Sequence, residues 1–287
     1  MRPYAAATVL ALASLACAPS AVVQEEHRRC EDAVAVTYLA NASVLLRGTS
    51  RVLIDGPFTT GVEPYPRYRP DALRAARDAD GPFAEVEWIL VTHAHADHMD
   101  ADAIVEHLRS NGRARVASTR EAIERIARAS GGDPAIVERL VAVAPAEAAS
   151  TVVHPRGPRI EALALHHGRD RDIVNIGFLV DVDGVRFLHP GDSEATAPEF
   201  RALSMPARDI DVALIPTWYY TSPTYRPALE HVNARTMLAM HFPAPAYEGG
   251  FVGRLGGWSE VRRFLERFDP PPVPLTERGA TLCIDGA

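Results

Sequence analysis

An α/β fold is predicted for this chain: two β-sheets packed face to face, with helices on the outer surfaces. Two successive halves each begin with strands and continue into alternating helices and strands, which is how such a layered sandwich is laid down along a sequence. The composition is that of a soluble globular protein, 47% apolar and 23% charged, without a low-complexity tract. No linker divides the two halves, so residues 33–287 read as one domain.

Short β-type runs open the first half at 33–39, 43–47 and 51–55, the last two joined by Gly48-Thr49-Ser50 as a hairpin. A Pro/Tyr/Arg-rich loop at 64–70 leads into a helix over 71–79, and 87–92 is a buried strand. Asp100 can cap the next helix, whose Ile104, Val105 and Leu108 share one face. A strand at 115–118 precedes helices at 120–129 and 134–140. In the second half, strands are expected at 159–165, 176–182, 185–188, 212–215 and 236–240, with Asp183-Gly184 as a hairpin turn. Helices at 227–234 and 258–268 and a strand at 280–284 complete the chain.

The first 17 residues have the form of a secretory signal: Arg2, an apolar run, then small residues up to Cys17. The run is too short to span a membrane. Leu15-Ala16-Cys17 resembles a bacterial lipobox, which makes Cys17 a candidate lipidated residue and membrane attachment point. Residues 18–32 read as a linker. Export to the periplasm or cell envelope would place Cys30 and Cys283 in an oxidising compartment, where they are expected to pair and tie the two ends of the domain together. A net charge of −7 gives no field that favours nucleic acid or anionic membrane. The chain contains no lysine, so a lysine nucleophile or Schiff base is excluded.

The stretch Thr92-His93-Ala94-His95-Ala96-Asp97-His98-Met99-Asp100 directly follows the apolar run 88–91. Imidazole and carboxylate are ligands for zinc and similar divalent ions. His93 and His95, one residue apart in an extended loop, can face the same ion. Asp97 and His98 can face a second ion as the chain turns. Further ligands must come from other strand ends, and three places offer them: His166-His167-Gly168, His189-Pro190-Gly191-Asp192 and His241.

This ordered pattern resembles the metallo-β-lactamase-fold hydrolases, and the resemblance covers nearly all of the chain after residue 33. It implies a four-layer αββα sandwich and two metal sites: His93, His95 and one of His166 or His167 for the first, Asp97, His98 and His241 for the second, with Asp192 bridging. His167 is preferred over His166, because strand alternation lets only one face the metals and His-Gly is frequent in exported relatives. Asp55 matches an early-strand aspartate of the family and is expected to hold the ligand loop. The implied cofactor is two Zn2+ per chain, with Mn2+ or Fe2+ as alternatives. The implied reaction is hydrolysis of an ester, lactone or phosphodiester by a metal-bridging hydroxide, with Asp97 as proton acceptor. Asp192 gives a likeness to the lactonase-like and phospholipase D-like branches rather than to lactam-cleaving enzymes.

Specificity for a small-molecule substrate would come from loops. Trp218, Tyr219 or Tyr220 and the loop from Tyr65 to Tyr68 are expected at the mouth, and Arg67, Arg69 and Arg226 could attract an anion. His27, His107 and His231 are expected at the surface, His154 in a loop, and His189 as a packed strand-end residue. Two other classes stay open: a single-iron dioxygenase on the same fold, and a non-catalytic metal-binding envelope lipoprotein.

Overall fold

The computed structural model describes residues 30–168 and 172–286. The expected signal, Cys17, His27 and most of the linker lie outside them. One seven-stranded sheet comprises β1 (Val34–Ala40), β2 (Ser43–Arg47), β3 (Arg51–Ile54), β4 (Val86–Val91), β5 (Arg115–Ser118), β6 (Leu140–Ala142) and β14 (Thr281–Ile284), in the order β14-β1-β2-β3-β4-β5-β6. The other, also seven-stranded, comprises β7 (Ser150–His154), β8 (Arg159–Leu163), β9 (Gly177–Val182), β10 (Val185–His189), β11 (Val212–Pro216), β12 (Thr236–Met240) and β13 (Val273–Pro274), in the order β13-β12-β11-β10-β9-β8-β7.

Alternation along the strands divides the buried side chains among three interfaces. Val44, Leu46, Ile54 and Leu90 from the first sheet meet Phe178, Val180, Phe187 and Leu214 from the second, forming the central core. Their neighbours Leu45, Leu53, Ile89 and Val91 point outward, against Ala76 of α1 (Pro70–Arg77), Ile104, Val105 and Leu108 of α2 (Ala101–Ser110) and Ile126 of α3 (Arg120–Ala129). On the far side, Leu179, Leu188, Ala213 and Ile215 pack against Phe200 of α5 (Ala197–Ala202), Val252 of α7 (Gly250–Leu255) and Val261 and Leu265 of α8 (Trp258–Leu265). Three interfaces make four layers, the αββα sandwich.

Each sheet is part meander and part parallel. β3, β4, β5 and β6 run parallel, as do β10, β11, β12 and β13. β8 is antiparallel to β9, and β9 to β10, so β8 shares the direction of β10, β11 and β12. The loops leaving β8, β10, β11 and β12 therefore emerge at one edge of their sheet. Open α/β sheets present ligand sites at such strand ends.

Several local expectations change. Residues 134–140 were expected as one helix but divide into the short α4 (Pro134–Val137) and strand β6, because Leu140–Ala142 gain a parallel partner in β5. Strand β7 carries His154, expected in a loop, as its last residue, with its Nδ1 2.8 Å from the Pro158 carbonyl. The segment at 217–221, expected as loop, is the short helix α6 (Thr217–Thr221). His107 is not at the surface: it is buried on α2, and its Nδ1–H donates to Ala76 O at 2.6 Å. Helix α2 opens on Asp100, whose carboxylate accepts from the amides of Asp102 and Ala103. Cys30 and Cys283 are bonded, joining the segment before β1 to β14 across 253 residues.

Candidate metal centre

The loop leaving β4 is held by an aspartate on the neighbouring strand end. Asp55 follows β3 in left-handed backbone (φ 52°), a conformation uncommon outside glycine. Its carboxylate accepts from the Thr92 amide (2.8 Å), from Thr92 Oγ1–H (2.9 Å) and from His98 Nδ1–H (2.8 Å). Asp55 thus holds the loop and aims His98 without belonging to any of the candidate metal groups. Having given its proton to Asp55, Thr92 Oγ1 accepts from His93 Nδ1–H at 3.0 Å. This leaves His93 Nε2 as a lone pair, only 3.0 Å from His95 Nδ1.

Three groups of side chains bring one donor atom each within 4.8 Å of one another: His93, His95 and His167; His93, His98 and Asp192; and Asp97, His98 and His241. The middle set shares His93 with the first and His98 with the third, so the three form one centre with Asp192 between them. His98 Nε2 lies 3.2 Å from Asp192 Oδ1, yet neither atom has a hydrogen-bond partner, and His241 Nδ1 is likewise buried and unpartnered. Buried polar atoms are ordinarily satisfied, and orphaned ones are costly. A nitrogen- and oxygen-rich cluster with unspent lone pairs fits a divalent cation of the zinc, iron or manganese type.

The other ligand-bearing loops converge by long-range bonds. Asn175 donates to Leu165 O (2.6 Å) and Pro190 O (3.0 Å) and accepts from the Asp192 amide (3.1 Å), so it ties the His167 loop to the Asp192 loop. Gly191 (φ 61°) passes so close that a Cβ there would meet Asn175 Oδ1 at 2.3 Å and Thr92 Cβ at 2.6 Å. His241, which directly follows β12, also sits in left-handed backbone (φ 61°) and places Nε2 3.0 Å from Asp192 Oδ2. Asn41, in the turn between β1 and β2, donates to Asp97 Oδ2 at 3.0 Å. Neither Asn41 nor Asn175 figures among the residues chosen from sequence. An asparagine between two strands reads as a turn former, and Asn175 carries no local signal at all.

His167, not His166, faces the cluster. His166 Nε2–H donates to Glu199 at 2.5 Å, and its Nδ1 accepts from the Gly168 amide at 3.1 Å. His189 is a buried strand-end residue: Nε2–H donates to Ala42 O at 2.8 Å, and Nδ1 accepts from the Gly191 amide at 3.2 Å. His231 lies 3.0 Å from Arg201, away from the centre.

The buried charges polarise one another. Burial pushes His93 well below the usual imidazole range, and His98 adds to that. Burial also opposes protonation of His98, but Asp192 and Asp55 outweigh it and hold its pKa well above the ordinary value. For Asp192, burial works against ionisation, and the rings of His241 and His98 overcome it, leaving the carboxyl well below its usual range.

A cavity of about 630 Å³ opens over the centre, lined by His95, Asp97, His167, Asp192 and His241 together with Tyr65, Trp218, Tyr225 and Glu194. The tyrosines at positions 219 and 220 are buried instead of facing it. Tyr219 donates to Ala195 O at 3.0 Å, because the helical turn of α6 points it inward. Tyr68 is likewise buried, its hydroxyl 2.6 Å from Ser43 Oγ, so only the Tyr65 end of that loop reaches the cavity. Arg67 pairs with Glu63, Arg69 with Asp71, and Arg226 binds Tyr220 O; none lines the cavity.

Known proteins resemble this chain in sequence and in fold. A metal-dependent hydrolase (UPF0173) of Archaeoglobus fulgidus is 30% identical over 217 residues, 72% of this chain and 82% of that protein. Two solved structures share the fold at low identity. Igni18, a metallo hydrolase from Ignicoccus hospitalis, matches with a TM-score of 0.56 at 18% identity, over 88% of this chain and 99% of its own. CmlA, a diiron β-hydroxylase from Streptomyces venezuelae, matches with a TM-score of 0.60 at 14% identity, over 88% of this chain and 54% of its own. A family model described as a beta-lactamase superfamily domain matches residues 50–246, and on that match the chain belongs to the β-lactamase superfamily.

Proposed function

We propose that the protein is a dinuclear metal hydrolase, with zinc as the native metal, that cleaves an ester, lactone or phosphodiester. The observation that carries this reading is the joining of two ligand groups, His93/His95/His167 and Asp97/His98/His241, through the set His93/His98/Asp192, with Asp192 lining a cavity. Within the superfamily, a carboxylate at position 192 between the two groups supports the lactonase-like and phospholipase D-like branches. Residues 33–287 would form the hydrolase domain, and the Cys30–Cys283 bond supports an exported protein, since disulfides persist in oxidising compartments.

Two divalent ions bound at this centre would supply water acidified to near neutral pH and a Lewis acid for the electrophile's oxygen. The chain's own residues do the rest. Asp97, fixed by Asn41, takes the proton that the attacking water releases. Asp55 fixes the ring of His98, and Thr92 that of His93, so the donor atoms are preorganised before any ligand enters. Tyr65 and Trp218 pack on the His241 ring, with centroids 4.1 and 5.0 Å away, and shield that side from solvent.

The nitrogen and oxygen donor set would also hold iron, and the likeness to a diiron β-hydroxylase gives oxidative chemistry as the second reading. Metal analysis of the purified protein, combined with a panel of esters, lactones and phosphodiesters, separates the two. About two zinc ions per chain with turnover is the expected result. Iron with oxygen uptake and no hydrolysis would replace the first reading by the second.

A further inference from the structure

On the reading that this cavity is a hydrolase active site, we propose that it selects substrates bearing a quaternary or protonated ammonium group, with Glu194 as the specificity-determining residue. Glu194 lies two residues beyond Asp192, and its amide is fixed to His166 O at 3.1 Å. Its carboxylate lies beside the His167 loop: a Cβ on Gly168 would fall 2.6 Å from Glu194 Oε2. The same oxygen accepts from Tyr225 O–H at 3.0 Å. Glu194 belongs to none of the candidate ligand groups, so it is the one cavity-lining carboxylate, among the described residues, that the metal ligands leave over.

Three aromatic residues share the cavity with this charge. The Trp218 indole is pinned by its N–H to Ser193 O at 2.7 Å, and Tyr65 and Tyr225 line the same cavity. Aromatic faces carry negative potential, and aromatic side chains are the recognised means of holding quaternary ammonium ligands. An anionic group laid against Glu194 would be repelled there, whereas a cation gains both ion pairing and ring contacts. The cavity also has the size of a small-molecule pocket. The substrate class is therefore an ester with its scissile bond at the metal centre and a cationic end against Glu194.

Two pairs of isosteric probes test this on the zinc-loaded protein. Calorimetry compares choline with 3,3-dimethylbutan-1-ol, which replaces the charged nitrogen by carbon. Choline should bind about tenfold tighter, on the scale of a partly desolvated cation–aromatic contact. Glu194→Gln should shrink that ratio to about twofold, and Trp218→Leu should lower it as well. Kinetics compares acetylcholine with 3,3-dimethylbutyl acetate, and the kcat/KM ratio should follow the binding ratio in each variant. Equal binding of the two alcohols, failure of both to bind, or a ratio unmoved by Glu194→Gln overturns the proposal. The choline preference without turnover of either ester, or of any member of the ester, lactone and phosphodiester panel, would uphold the ligand class while refuting the hydrolase. Equal turnover of both esters would uphold the hydrolase and refute the ligand class.

Discussion

Four of the candidate ligands are aimed by residues outside the ligand set: Asp97 by Asn41, His98 by Asp55, His93 by Thr92, and Asp192, through its amide, by Asn175. Such supporting bonds fix ring orientation and donor tautomer, and losing one typically lowers metal affinity or activity about 10- to 100-fold. Asn41→Ala and Asp55→Asn should each lower kcat/KM on the best substrate by that factor while the far-UV circular dichroism is unchanged; values within about twofold of wild type would refute the supporting role. Asp97→Ala removes the proposed proton acceptor itself, and hydrolysis should vanish in a folded protein. Gly191 is a different case, because its left-handed backbone and the contacts a Cβ would make with Asn175 and Thr92 both oppose any side chain. Gly191→Ala should destabilise the fold by about 2 kcal/mol or more and weaken zinc binding. Urea unfolding and metal titration check both effects.

Secondary elements were legible where the hydrophobic pattern was long enough to have a period. Strand β4 and helix α2 fall where the apolar run 88–91 and the Asp100 cap placed them. Short edge strands such as β6 and β13 show no such pattern; they are strands because a neighbour's open edge receives them. His107 illustrates the same limit within a helix. Glu106 and Arg109 flank it as charged residues, but α2 turns it toward Ala76, where burial lowers its pKa despite the hydrogen bond to Ala76 O. The unfolded chain therefore binds a proton near pH 6.5 that the folded chain resists. The stability His107 contributes is complete above that pH and is lost as pH falls toward the depressed folded value. Urea midpoints between pH 7.5 and 5.5 should fall more steeply for wild type than for His107→Gln, and parallel slopes would count against this assignment.

The whole molecule is a sandwich in which both sheets contribute to one core and both supply candidate ligands. Phe178 is wholly buried where the sheets meet, so Phe178→Ala should cost about 3–5 kcal/mol in denaturant unfolding. The Cys30–Cys283 bond closes nearly the entire described chain into one loop. Loop-closure entropy assigns such a bond up to about 5 kcal/mol. The double variant Cys30→Ser/Cys283→Ser should unfold at least about 5 °C lower than wild type. Unchanged melting would show that the bond does not restrain the unfolded chain.

Read alone, the sequence determined the layer architecture and the chemistry of the centre. Strand alternation sets which side chains are buried, and the crowding of His93, His95, Asp97 and His98 after a buried strand has few uses other than holding cations. Tertiary structure decided what depends on distance across the fold. His167 rather than His166 turns inward because Glu199, on a later helix, takes His166. Trp218 lines the cavity while Tyr219 and Tyr220 enter the core, since a helical turn separates neighbours that an extended loop would have kept together. Asn41, Asn175 and Glu194 acquire their places only when loops far apart in sequence meet at one end of the sandwich. Local periodicity encodes which face of an element is apolar, but only packing determines which loop a side chain will find opposite it.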